Sequence, residues 1–196
     1  MAEDMFRFDK DGSIELDRHV TTLDTFTHDF TKVLSRFTKY SLVGGFLAIF
    51  LGRSRSTEDI DLYVPRLEKK DFILIYSALK KAGFWCLNAE SADTIYDYLK
   101  SGIGVRFARQ ETAIPNMEVK FTRDALDEAS IDDSFKGKVG GLEFVFSSPE
   151  INIAFKRYYL KSPKDMEDAK HIEEVFQGNL DKSKLGKYKR LIARLR

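Results

Sequence analysis

Between Tyr40 and Val64 the chain leaves an apolar segment through a glycine pair and re-emerges along a run that alternates carboxylate and aliphatic side chains. Tyr40-Ser41-Leu42-Val43 leads to Gly44-Gly45, then come the apolar Phe46 to Leu51, the polar Arg53-Ser54-Arg55-Ser56-Thr57-Glu58 and finally Asp59-Ile60-Asp61-Leu62-Tyr63-Val64. This order reads as strand, glycine turn, short buried helix, polar loop, strand. Successive side chains of a strand point to opposite faces, so Asp59 and Asp61 project together while Ile60 and Leu62 pack behind them. Two such carboxylates, roughly 7 Å apart at their backbones, can converge on a pair of metal ions roughly 3.5 to 4 Å apart. The same alternation also makes any solvated strand face. A glycine pair lets backbone approach a ligand closely, and a Ser/Thr-rich loop supplies donors for phosphate oxygens. The bland alternative for the glycine pair is a tight strand-to-helix turn. A Walker-type phosphate loop is excluded, because no Gly-Lys-Ser/Thr follows.

These residues resemble the nucleotidyltransferase superfamily of the DNA polymerase β type. The form Gly44-Gly45 followed by Arg53 to Leu62 is most similar to AbiEii-type and related stand-alone bacterial and archaeal nucleotidyltransferases, and the similarity resumes from Ser148 to Ile172. The resemblance implies magnesium-dependent transfer of a nucleoside monophosphate from a nucleoside triphosphate to an acceptor hydroxyl, with two ions and manganese as a substitute. It implies Asp59 and Asp61 as metal ligands, with a third carboxylate on a neighbouring strand, for which Glu118 is the local candidate in place of the commoner Asp. Lys120 lies on the same strand face as Glu118 and offers the alternative of an ordinary ion pair. Gly44, Gly45, Arg53 and Ser54 are implied at the triphosphate, although Ser54 does not follow the glycine pair directly as a serine does in many relatives. Lys156, followed by Lys164-Asp165-Met166-Glu167-Asp168, resembles the family's C-terminal lysine and Lys-Asp-x-x-Asp element, which implies Lys156 as an offset to the triphosphate charge. Asp168 falls on the inward stripe of its helix, where a carboxylate is either paired, with Lys156 and Arg157 as the partners at hand, or part of the substrate-binding site. Asp165, three residues after Ser162, also fits a capping box. Relatives act on transfer RNA, on proteins or on small aminoglycosides, and some are toxins held by antitoxin proteins. A catalytically silent nucleotide- or RNA-binding module of the same fold is the alternative.

With 196 residues, 43% hydrophobic and 32% charged, the chain suffices for one compact domain or a core with a helical appendage. Its 32 basic and 31 acidic side chains nearly cancel, so overall charge selects no class of partner. Cys86 is alone and lies in Phe84-Trp85-Cys86-Leu87, which fits a buried thiol in a reducing compartment. The longest apolar run is too short to span a bilayer, and the N-terminus lacks the pattern of a secretory signal, so a soluble cytoplasmic protein is expected.

Along the rest of the chain, Phe6 to Leu16 alternate about Asp11-Gly12 as a hairpin, taken as an N-terminal embellishment. Leu23, Phe26, Phe30, Val33, Leu34 and Phe37 recur at helical spacing behind a Thr21/Asp24 capping box. Helices are expected again over 72–82 and 92–100, and strands over 84–87, 105–109 and 117–121, with a short hairpin at Gly140-Gly141. Ser148-Pro149 and Ser162-Pro163 each open a helix. A last helix from Lys182 to Leu195 places Leu185, Tyr188, Ile192 and Leu195 on one stripe. Seven basic residues against one acid between Asp181 and Arg196 suit either an RNA-facing surface or a solvated face. His19, His28 and His171 have no zinc-ligand spacing. The expected fold is α/β, a mixed sheet with flanking helices over 1–147, closed by a C-terminal helical segment over 148–196.

Overall fold

The computed structural model describes residues 5–195. In chain order its elements are β1 (Phe6–Phe8), β2 (Ile14–Leu16), α1 (Thr22–Leu34), β3 (Ser41–Val43), α2 (Gly45–Phe50), β4 (Asp59–Val64), α3 (Lys69–Lys81) and β5 (Phe84–Cys86). They continue as α4 (Ala92–Lys100), β6 (Val105–Arg109), β7 (Asn116–Phe121), α5 (Ala125–Asp132), β8 (Ser134–Val139) and β9 (Leu142–Ser147). Then come α6 (Pro149–Ala154), which runs on as a π-helical turn over Phe155–Leu160, α7 (Pro163–Val175) and α8 (Lys182–Ala193).

The strands form one mixed sheet in the order β1-β2-β8-β9-β3-β4-β7-β6-β5. Three neighbouring pairs are parallel, β2 with β8, β3 with β9 and β4 with β7. The last of these sets the site, because its register places Asp61 of β4 directly beside Glu118 of β7. The N-terminal hairpin departs from its sequence-based description. It is the end of the main sheet rather than an attachment, since β2 pairs along β8 and buries Ile14 and Leu16 in the core.

Local sequence explains most of the ends. Thr21 accepts from the Asp24 amide at 3.1 Å while Asp24 accepts from the Thr21 amide at 2.8 Å, so two otherwise orphan donors start α1. Phe26, Phe30 and Leu34 then face the core. The helix stops at Ser35, which leaves Phe37 outside it and exposed, contrary to the helical stripe expected to include it. Gly140 and Gly141, both at positive φ, make the two-residue turn between β8 and β9, a conformation other residues adopt only at a cost. α2 lies on the sheet through Phe46 and Phe50, whose rings meet Phe144 and Phe146 of β9. Gly137 of β8 is the seat of that cluster, since a Cβ there would come within 2.7 Å of the Phe50 ring. A smaller core joins Leu126, Ile151, Ala154, Tyr188 and Ile192, and so fastens α5, α6 and α8 together. Cys86 is buried, as its setting implies. No helix among the described residues is long and apolar enough to cross a membrane.

Candidate active site

The glycine turn and the acidic strand are held against each other by the sheet. β3 and β4 pair antiparallel with Val43 beside Asp61, so the chain leaving β3 at Gly44 passes over the Asp61 side chain. The fit leaves no room for a larger residue, because a Cβ on Gly44 would lie 2.8 Å from Asp61 Oδ2. Gly44 also sits at φ +75° and ψ −138°, a backbone conformation that glycine adopts readily and residues with a Cβ rarely do. Asp59 projects from the same face of β4 two residues earlier, and Ile60 and Leu62 on the other face are fully buried.

Across the sheet, Glu118 and Lys120 share one face of β7. The Lys120 ammonium bonds Asp61 Oδ1 at 2.9 Å and Glu118 Oε2 at 2.5 Å, and Arg106 reaches Glu118 Oε1 at 3.2 Å. Burial pushes the Asp61 carboxyl above its ordinary value despite the lysine. Burial also acts on Glu118, but there the bonds to Lys120 and Asp61 prevail and the carboxyl lies below its usual range. Facing two carboxylates, Lys120 is held above the ordinary value in spite of desolvation. Among the described residues, no three His, Cys, Asp or Glu side chains come together as a group able to hold a metal ion. Asp59 and Asp61 share one face of β4, Asp61 alone of the two lines the cleft, and Asp61 and Glu118 have an ammonium between them.

A second charged cluster flanks the turn. Asp168 of α7 is fully buried and receives Lys156 Nζ at 2.9 Å, Arg55 Nη1 at 2.5 Å and a bond from Arg53. Arg53 also binds Glu167, and Lys156 lies 3.5 Å from Asp165. Burial alone would raise the Asp168 carboxyl, yet Lys156, Arg55 and Arg53 bring it below its ordinary value. Sequence spacing suggests Arg157 as a partner of Asp168, but the π-helical turn directs Arg157 to Glu173 instead. The partners that sequence reading did not assign to Asp168 are Arg53 and Arg55, more than a hundred residues away along the chain. Ser162 caps α7, accepting from the Asp165 amide at 3.2 Å while its hydroxyl donates to the Asp165 carboxylate. Ser54 is exposed on the loop between the two arginines.

Between these groups and the C-terminal helices lies a cleft of about 510 Å³, lined by Gly44, Asp61 and Lys120 on one side and by Asn152, Phe155, Lys156 and Tyr159 on the other. Phe155 and Tyr159 stack with ring centroids 4.8 Å apart. Tyr63 and Asp127 line it too. Sequence reading did not name Tyr63, although its place two positions after Asp61 on one strand face is a signal for it. Asp127 carries no such signal, because its spacing is that of a helix cap.

A nine-stranded mixed sheet whose glycine turn closes on a strand carboxylate can be compared with solved structures. The solution structure of the antibiotic-resistance factor ANT(2'')-Ia matches at TM-score 0.56 with 17% identity over 89% of this chain and 95% of that one. The fold is shared with nucleotidyltransferases. The crystal structure of ANT(2'')-Ia in complex with adenylyl-2''-tobramycin matches at TM-score 0.56 with 16% identity, over 90% of this chain and all (100%) of that one. An antigenic nucleotidyltransferase-like protein from Paracoccidioides brasiliensis matches at 0.52, with 16% identity over 89% and 88% of the two chains. No protein-family model matches the sequence, and no curated protein matches it.

Proposed function

We propose that the chain transfers a nucleoside monophosphate from a nucleoside triphosphate to an acceptor hydroxyl, with release of pyrophosphate. The observation that carries this reading is the closure of the Gly44 turn on Asp61 at the wall of the cleft, which both residues line. Asp59 and Asp61 would hold a magnesium or manganese ion, which supplies positive charge to the phosphates and acidity to a bound hydroxyl. Gly44, at the cleft wall, lets the backbone approach the polyphosphate, while the face of Gly45 is taken by the Arg55 guanidinium. Arg53 and Arg55 flank that turn, Ser54 adds an exposed hydroxyl, and Lys156 brings an ammonium to the cleft wall. Asp168 keeps the three cations in place. The stacked Phe155 and Tyr159 offer a flat apolar surface for a planar base.

The ANT(2'')-Ia complex with adenylyl-2''-tobramycin supports a small-molecule acceptor. An RNA acceptor, an AbiEii-type relationship and a toxin role with an antitoxin partner rest on sequence resemblance alone. The basic α8 lends the RNA reading little, since Lys184 is bound to Asp133 at 2.6 Å and Lys189 lies over the Tyr158 ring. A second reading, a binding module without turnover, is favoured by the Lys120–Glu118 pair.

The test is thermal stabilisation by each nucleoside triphosphate, with and without magnesium, for the wild type and for the Asp59→Asn, Asp61→Asn double variant. Ligand at a hundred times its Kd should stabilise by about 2.7 kcal/mol. Magnesium-dependent stabilisation lost in the double variant supports the nucleotide site, and no shift with any nucleotide overturns it. Binding without transfer to any acceptor selects the silent module.

A further inference from the structure

We infer that the Lys120 ammonium is a built-in counter-cation that stands in the space between Asp61 and Glu118 where a second divalent ion would otherwise bind, so that this site takes one divalent ion fewer than its carboxylates suggest. The inference rests on the transferase reading for its meaning, but its test does not require turnover.

The register of β4 and β7 sets Asp61 and Glu118 side by side on adjacent parallel strands, about 4.8 Å apart at their backbones. Two carboxylates so placed repel one another unless a cation lies between them. Lys120 supplies it from two residues along β7, at 2.9 Å from one carboxylate and 2.5 Å from the other. The neighbouring backbone is shaped to seat it. Gly104, just before β6, has no side chain where a Cβ would meet Lys120 Cε at 3.0 Å and Glu118 Cγ at 3.1 Å, so both stems lie across it. Arg106 takes the other Glu118 oxygen at 3.2 Å, which leaves that carboxylate with cations on both sides.

The charge count follows from these contacts. Asp59, Asp61 and Glu118 are opposed by Lys120 and Arg106, so the group is far less anionic than three free carboxylates and one divalent ion exceeds what remains. An ammonium differs from a metal ion in two respects. It cannot be removed by chelators, and it cannot gather six oxygens as magnesium does. Glu118 in this chain therefore acts as a positioning residue for Lys120.

The experiment counts Mn2+ ions bound per chain by electron paramagnetic resonance, without nucleotide and with a non-hydrolysable nucleoside triphosphate. It compares wild type, Lys120→Met, Lys120→Arg and the Lys120→Met, Glu118→Gln double variant. The expected result is one more bound ion for Lys120→Met than for wild type, with the wild-type number in Lys120→Arg and again in the double variant. Equal numbers in wild type and Lys120→Met, or an extra ion that survives Glu118→Gln, overturn the inference. The double variant removes both charges, so it remains a folded control if Lys120→Met is too unstable to titrate. In that event a melting temperature of Lys120→Met that Mn2+ raises more than it raises wild type supports the inference, and equal shifts overturn it. Nucleotide stabilisation measured in parallel reports separately on the transferase reading, which fails alone if nucleotide does not bind while the ion counts differ as expected.

Discussion

Arg55 reaches Asp168 across the face of Gly45, so closely that a Cβ at residue 45 would lie 2.6 Å from Arg55 Nη2. The glycine turn and the buried ion cluster are therefore one unit: a residue that keeps a side chain out of the turn also keeps an arginine on its carboxylate. Gly45→Ala should displace the guanidinium and cost about 1 to 3 kcal/mol, the usual range for overpacking. Denaturant melts give the stability loss, and a variant as stable as wild type would show that Arg55 moves aside freely.

Asp168 should tolerate removal less well. Deleting one partner of a buried ion pair leaves the others uncompensated, typically at about 3 to 5 kcal/mol. Here Asp168→Ala would leave Arg53, Arg55 and Lys156 facing one another around an empty position. A loss within the range of an exposed salt bridge, below about 1 kcal/mol, would contradict the burial described.

The same carboxylate predicts a pH dependence. Its folded value lies below the ordinary 3.8, so its charge stabilises the fold fully above that value and the contribution disappears as pH falls beneath it. Wild type should exceed Asp168→Asn by a constant margin above about pH 5, and the margin should shrink as pH falls below the ordinary carboxylate value. Urea titrations of both proteins from pH 6 downward measure it. A margin that does not change with pH would mean that the carboxylate is not held ionised.

Asp61→Asn should abolish nucleotidyl transfer and leave the fold intact, because Lys120 keeps Glu118 as a partner in that variant. Transfer assays with labelled nucleotide, beside circular dichroism, provide the measurement. Undiminished activity would remove Asp61 from the proposed chemistry.

Tyr188 is buried in α8 and donates its hydroxyl to Asp133 at 2.6 Å. Hydrogen bonds to charged groups contribute about 1.5 to 3 kcal/mol, so Tyr188→Phe should destabilise by that order. An effect indistinguishable from zero in thermal melts would show that Lys184 and Ser148 satisfy Asp133 without the tyrosine.

What could be read from the residues was local. The Thr21/Asp24 capping box, the Gly140-Gly141 hairpin and the alternation of Asp59 to Val64 each depend on a few adjacent positions and a backbone rule. The Glu118–Lys120 ion pair was equally within reach, as one of two alternatives on a single strand face. The meeting of Arg53 and Arg55 with Asp168 was not, since it depends on how α7 returns to the loop before β4. Nor was the place of β9 beside β3, because apolar alternation shows that a strand exists without naming its neighbour. The π-helical turn also escaped notice, as its apolar spacing is too short to tell from a helix of ordinary pitch.

That turn, closed by Lys161 at φ +61°, determines what the following helix presents to the cluster. Each helical residue rotates the chain by about 100°, so a segment shortened by one residue between Phe155 and Leu160 would make the chain leave that helix, and begin α7, from a side about a quarter circle away. Lys156 would keep its place on the inner side while Asp168 moved to another quadrant. The wider winding thus works as a phase adjuster, bringing a lysine on one helix and an aspartate on the next to the same bearing.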